Sequence, residues 1–303
     1  MDTRLKEVLM RKAFPVLVLM AGIALMVALL TLVGCRRSSE RKTVAVTFAP
    51  QADVARALGD GRYEVVTLIK PSTNPETYDP SMSEMTALQQ AGLYMSLGTP
   101  GFEQATLPRL VENFPGLEVV DVAGGVTAVE GTHGHGEGDP HLWSSVRNMK
   151  VIASSMAEAL ASYDTDDTEG YRERESALQT RLQALDDSLA TILEPVRGAT
   201  FVVVHPSLSY FARDYGLNQF SLEREGKEPT ARQMQQRLDS AAAARPLLMI
   251  AEPSHNPDQA WTIARQLGID TIQVQLNAAN WTEQLTRLAY RLAEAGARQL
   301  SGK

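Results

Sequence analysis

Five histidines occur in 303 residues, and three of them, His133, His135 and His141, fall within nine positions. Grouped imidazoles in a chain with 36 acidic side chains point to divalent-metal chemistry, because imidazole nitrogen and carboxylate oxygen are donors that Zn²⁺, Mn²⁺ and Fe²⁺ share. The segment Gly131–Asp139 is glycine-rich and acidic and offers no apolar face to bury. It reads as a loop whose His133 and His135 suit auxiliary, transient metal capture, the plain alternative being a solvated linker with incidental histidines. In Asp139-Pro140-His141-Leu142-Trp143, by contrast, a proline and a large aromatic fix the backbone and wall the imidazole on one side. His205 ends the apolar run Val202-Val203-Val204 and is followed by Pro206, Tyr210, Phe211, Tyr215 and Gly216. Taken alone, a histidine at a strand end is more often structural than ligating.

Positioning these residues requires a framework, and the sequence has the rhythm of one. Short β-branched runs at Thr43–Phe48, Glu64–Ile69, Leu93–Leu97 and Glu118–Asp121 alternate with amphipathic stretches, and the pattern returns at Thr200–Val204, Leu217–Ser221, Leu247–Ala251 and Thr271–Gln275, with helices near 230–244, 257–267 and 281–296. Alternation of this kind predicts parallel α/β sheets. Between the two sets, Tyr171, Leu178, Leu182, Leu185, Leu189 and Ile192 recur at helical spacing until Pro195 and Gly198 stop the helix. The expected fold is therefore two parallel-sheet α/β lobes, residues 43–165 and 198–303, joined by one long rigid helix over 166–197. Such a joint allows only a small rotation, and ligands of open α/β sheets sit beyond the carboxyl ends of strands, so the interlobe cleft is the expected site.

The amino-terminal part carries Arg4, Lys6, Arg11 and Lys12 before an apolar run from Ala13 to Val33 that ends in Leu32-Val33-Gly34-Cys35. That is the layout of a secretory signal over 1–34, and its end resembles the lipobox of bacterial lipoproteins, with Cys35 as the lipid attachment point. Cys35 is the single cysteine, so no internal disulfide competes for it. An uncleaved spanning helix is the alternative, since the run is long enough to cross a bilayer and basic residues flank both of its ends. Either way the rest of the chain is placed outside the cytoplasm and tethered to a membrane. Removing a leader of net charge +2 takes the chain from −7 to about −9, and an acidic surface with no basic stripe excludes nucleic acid as a natural partner.

The Asp139–Trp143 motif, with His205 and its Tyr210-Phe211 and Tyr215-Gly216-Leu217 continuation, resembles the zinc- and manganese-binding proteins of ABC importers, the cluster A-I solute-binding family. The resemblance implies that His141 and His205 bind metal. It also implies a ligand after the second strand, where a Pro-His-Thr-Tyr-Glu-Pro type of segment is usual and this chain has Asn74-Pro75-Glu76-Thr77-Tyr78-Asp79-Pro80. Glu76 stands where that histidine would be, and a carboxylate is a competent ligand. The family's fourth ligand, a carboxylate after the last strand, is replaced by Asn277; water, or His255 from Glu252-Pro253-Ser254-His255, is expected there instead. The implied function is an extracytoplasmic, monomeric Zn²⁺-binding protein, with Mn²⁺ or Fe²⁺ as alternatives, that serves a permease and an ATPase. A three-ligand zinc site is also the architecture of a hydrolase, and a family-related adhesin is a further alternative. The chain lacks a His-Glu-x-x-His or Gly-x-Ser-x-Gly motif, so no enzymatic activity is expected.

Overall fold

The computed structural model describes residues 42–71, 73–99, 101–129, 138–223 and 230–302. The leader, Cys35, His133 and His135 lie outside the described residues. Among the described residues no helix is long and apolar enough to cross a membrane.

Two parallel four-stranded sheets are formed. The first contains β1 (Lys42–Val46), β2 (Tyr63–Thr67), β3 (Ala91–Ser96) and β4 (Glu118–Asp121) in the order β2-β1-β3-β4. The second contains β5 (Thr200–Val203), β6 (Asn218–Ser221), β7 (Leu248–Ala251) and β8 (Asp270–Gln273) in the matching order β6-β5-β7-β8. Each of the eight apolar runs picked from the sequence carries one of these strands, displaced by at most two residues at either end. Parallel neighbours need crossovers, and α1 (Ala49–Gly59), α2 (Met82–Gln90), α3 (Gly101–Ala105) and α4 (Leu107–Asn113) supply them in the first lobe.

The inner strands β1, β3, β5 and β7 are largely apolar on both faces because both of their faces are covered. Along β5, Phe201 and Val203 join one hydrophobic cluster while Val202 and Val204, the latter just past the strand end, join another. Leu248 and Ile250 of β7 divide from Met249 and Ala251 in the same way, as the period-two alternation of a strand demands.

The joint between the lobes is a helical hairpin. The long amphipathic helix appears as α6 (Thr168–Leu193), and α5 (Val146–Tyr163) runs back along it. Gln179 Nε2 donates to Lys150 O at 2.7 Å, Ser154 Oγ donates to Glu175 Oε1 at 2.6 Å and Arg147 Nε donates to Asp186 Oδ2 at 3.1 Å. The first end of α6 is pinned to the first lobe, where the Tyr63 and Tyr171 hydroxyls meet at 2.5 Å. Its far end is pinned to the second lobe, where Tyr215 OH donates to Asp186 Oδ1 at 3.0 Å. One continuous apolar core runs from Val44 and Val46 through Ile152, Leu178, Leu182 and Leu189 to Phe201, Val203 and Leu285. The lobes thus share packing as well as a covalent link, which makes the joint stiffer than a single bare helix. Leu189 is fully buried, so Leu189→Ala is expected to cost about 2–5 kcal/mol of folding stability, read by chemical denaturation.

Four more helices complete the second lobe: α7 (Ser209–Tyr215), α8 (Ala231–Ala243), α9 (Pro257–Leu267) and α10 (Trp281–Leu300). In both sheets the chain reverses its direction of winding beside the first strand, between β1 and β3 and between β5 and β7. Loops leaving the carboxyl ends there part to opposite sides and open a crevice.

Candidate metal centre

Three side chains converge in that crevice. Glu76, His141 and His205 each present one donor atom, and the three atoms lie within 4.8 Å of one another. The two histidines are only 2 % exposed, whereas the Glu76 side chain is 35 % exposed and forms the outer wall. His205 Nε2 stands 3.2 Å from Glu76 Oε1. An ion about 2.0–2.2 Å from each donor would bring them to roughly 3.3–3.5 Å apart, so the cluster closes around a zinc-sized cation with small side-chain rotations.

Each donor is placed by local structure. Glu76 lies in the loop after β2, where its backbone N–H donates to Asn74 Oδ1 at 2.9 Å, an Asx turn that fixes the direction of the next side chain. His141 follows β4 and precedes α5. Asp139 Oδ1 accepts both the His141 backbone N–H, at 2.9 Å, and His141 Nδ1, at 2.8 Å. The ring's other nitrogen is therefore the one left to face the crevice. Burial works to raise the Asp139 pKa, but the adjoining His141 outweighs it and holds this carboxyl down at about 2. Trp143 meets the His141 ring edge-on at 5.2 Å, and Phe48, just past β1, packs against Trp143 with centroids 4.1 Å apart and planes tilted by 39°. Thr47, the residue before Phe48, bonds the buried Glu103, which also accepts from Tyr94 OH at 2.9 Å and from the Leu97 backbone at 2.8 Å. This tethers the ends of β1 and β3.

His205 follows β5, and strand register sets its neighbours. Val203 pairs with Ser221 on β6 and with Ile250 on β7, so two residues farther on His205 is flanked by Glu223 and Glu252. Glu223 Oε2 lies 2.9 Å from His205 Nδ1. Burial would lower the His205 pKa, yet Glu223 and Glu76 together raise it to about 10. Glu252 is bonded by Ser207 Oγ, and burial pushes its carboxyl up. His255, in the next turn, stacks on His205 with ring centroids 4.2 Å apart and planes 4° from parallel. Burial, then the positive potential of His205 and His141, takes the His255 pKa down to about 4. His255 stands outside the three-atom cluster, although its ring touches a member of it. Asn277 is buried.

The two lobes are also bonded to each other at the crevice. Tyr210 OH, on α7, donates to Asp139 O at 2.7 Å, Arg213 Nη1 donates to Thr127 O at 3.0 Å and Ser145 bonds Asp214. Tyr210, Arg213 and Asp214 all belong to one short helix, which therefore acts as the latch beside the donors.

The sequence reading did not pick out Glu223, Glu252 or Glu103. The first two carry a usable signal, since each lies within two residues of the carboxyl end of a strand flanking β5.

Comparison with known proteins agrees with this architecture. A crystal structure of ZnuA superposes with a TM-score of 0.79 at 31 % identity, covering 85 % of this chain and 100 % of that one. The zinc-binding lipoprotein AdcA of Streptococcus pneumoniae serotype 4 is 25 % identical over 80 % of this chain and 52 % of its own length. The manganese-binding lipoprotein MntA of Halalkalibacterium halodurans is 26 % identical over 78 % of this chain and 79 % of its own. The chain spans about half to two thirds of the length of the first curated relatives it matches. Residues 44–295, which hold both sheets, the helical hairpin and every donor described above, match the model of the zinc-uptake complex component A periplasmic family, and the chain belongs to that family.

Proposed function

We propose that the chain captures a transition-metal ion, Zn²⁺ in preference, in the interlobe crevice outside the cytoplasm, and passes it to the permease and ATPase of an ABC importer. The observation that carries this reading is the convergence of Glu76 and His141 from the first lobe with His205 from the second within 4.8 Å. Donors drawn from both lobes let one ion bridge them, so binding stabilises one relative arrangement, which a transporter can recognise. The stiff hairpin and the α7 latch keep that change small, in keeping with a carrier that signals occupancy through its surface.

Glu76, His141 and His205 are the proposed ligands, with water completing a tetrahedral set; His255, the alternative fourth donor expected from the sequence, lies stacked on the His205 ring instead. Two imidazoles and one carboxylate favour Zn²⁺, while the carboxylate leaves Mn²⁺ and Fe²⁺ as weaker cargo. The name of the AdcA relative supports zinc and that of MntA supports manganese. The proposed protein is a monomer tethered through lipid on Cys35, with His133 and His135 as auxiliary capture groups. No catalytic step is assigned to it, in line with relatives described as metal-binding proteins and an uptake component.

Metal content by mass spectrometry on protein from residue 36 onward, with calorimetric Zn²⁺ and Mn²⁺ titrations, tests this directly. One tight zinc equivalent, bound more firmly than manganese, is expected. Tighter manganese binding would reassign the cargo, and absence of any stoichiometric metal would overturn the importer reading.

A further inference from the structure

An imidazole binds a metal through a lone pair that lies in the ring plane, so a ligand histidine needs two things fixed: which nitrogen is offered, and how the plane is oriented. For His205 these come from two different strands. Glu223, two residues past β6, takes the Nδ1 side at 2.9 Å, which leaves Nε2 as the offered atom, 3.2 Å from Glu76 Oε1. His255, in the loop after β7, lies flat against the ring at 4.2 Å and 4°. Its own Nδ1 is tied to Ser254 Oγ at 2.9 Å and its backbone N–H to Glu252 O at 3.0 Å. Two rings stacked so nearly parallel send their lone pairs along parallel planes and not toward one point. His255 is therefore placed to hold the orientation of His205 and not to share its ion. The first lobe solves the same problem within one loop, where Asp139 holds Nδ1 of His141 and Trp143 abuts the ring edge.

We propose that Glu223 and His255 form a positioning clamp on His205, the carboxylate selecting Nε2 as the metal-binding nitrogen and the stacked imidazole fixing the plane in which it binds. This rests on the metal-binding reading of His205. The clamp's parts arrive from just beyond both neighbours of β5, so the ligand's aim depends on the register of three strands.

Zinc titrations of wild type, Glu223→Ala, Glu223→Gln, His255→Ala and His255→Phe, with proton NMR of the Co²⁺-loaded proteins, test the clamp. Glu223→Ala is expected to weaken zinc binding by about 10- to 100-fold. It should also speed solvent exchange of one of the two paramagnetically shifted imidazole N–H protons. Glu223→Gln, whose amide oxygen still accepts from Nδ1, should recover most of the loss. His255→Phe, which keeps an aromatic face without a nitrogen, should bind zinc within a few-fold of wild type, while His255→Ala should lose about tenfold. Unchanged affinity and N–H exchange in Glu223→Ala would overturn the carboxylate's role. An equal loss in His255→Phe and His255→Ala would overturn the stacking role and make the nitrogen the functional atom. Wild type that takes up neither zinc nor cobalt would sink the metal-centre reading, whereas zinc-binding wild type with indistinguishable variants would sink the clamp alone.

Discussion

Replacing either His141 or His205 with alanine is expected to weaken zinc binding by on the order of 10²–10³-fold while leaving a cooperatively folded protein. Complete zinc sites contribute about 10–16 kcal/mol, so one of four donors accounts for roughly 3–4 kcal/mol, and each 1.4 kcal/mol is a factor of ten. The effect should be similar for the two histidines although they lie on different sheets, because a bridging ion loses its hold on one lobe in either case. The folded state pays unequally. His141→Ala leaves the buried Asp139 carboxylate without its imidazole partner, costing about 1–3 kcal/mol. His205→Ala leaves Glu223 and Glu76 facing a site with no cation between them, so its metal-free form should melt lower than wild type. Near-ultraviolet circular dichroism separates loss of fold from loss of site. One zinc equivalent surviving undiminished in both variants would show that these side chains do not bind the ion.

Much of this framework was legible in the sequence, and the reason is physical. Strands buried on both faces must be short apolar runs, and α6 must show its stripe because Tyr171, Leu178, Leu182 and Leu189 face the core. The run ends strayed by a residue or two because hydrophobicity continues past the last ladder hydrogen bond, as at Leu68 and Ile69, which are buried beyond β2. His141 stood out because proline and tryptophan hem it in. Glu76 stood out only through the family resemblance, since an exposed glutamate in a polar loop has no local mark. Glu223 in Leu222-Glu223-Arg224-Glu225 carries only one mark, its place two residues past the strand expected at Leu217–Ser221. What reveals it is the pairing of Val203 with Ser221, and register is a property of two segments that neither one encodes alone. The same holds for the latch, where Tyr210 and Asp139 are 71 residues apart.

Zinc affinity should also depend steeply on pH, and the sign follows from His205. Before metal binds, this ring is held in its charged form by Glu223 and Glu76, with a pKa near 10. Zinc needs the neutral ring, so between about pH 6 and 9 each bound ion must expel one proton from His205, and affinity should rise about tenfold per pH unit. Calorimetry at pH 7.5 in buffers of differing ionisation enthalpy should therefore report at least one proton released. Lowering the pH to 5.5 should weaken binding by about 100-fold. Stability should move in opposite directions with and without metal. A histidine whose folded pKa lies above its unfolded value of about 6.5 contributes stability that is full below that value and is lost as pH rises toward 10. The metal-free protein therefore loses this contribution as pH rises, while the zinc-induced rise in melting temperature grows, because bound ligand stabilises in proportion to the logarithm of its affinity. In Glu223→Gln the charged ring loses one of its two main supports, and the pH dependence should shift toward acid. A flat affinity profile across this range in wild type would mean that the ion displaces no proton from His205, so that the ring is already neutral before metal arrives and the two carboxylates do not hold it charged.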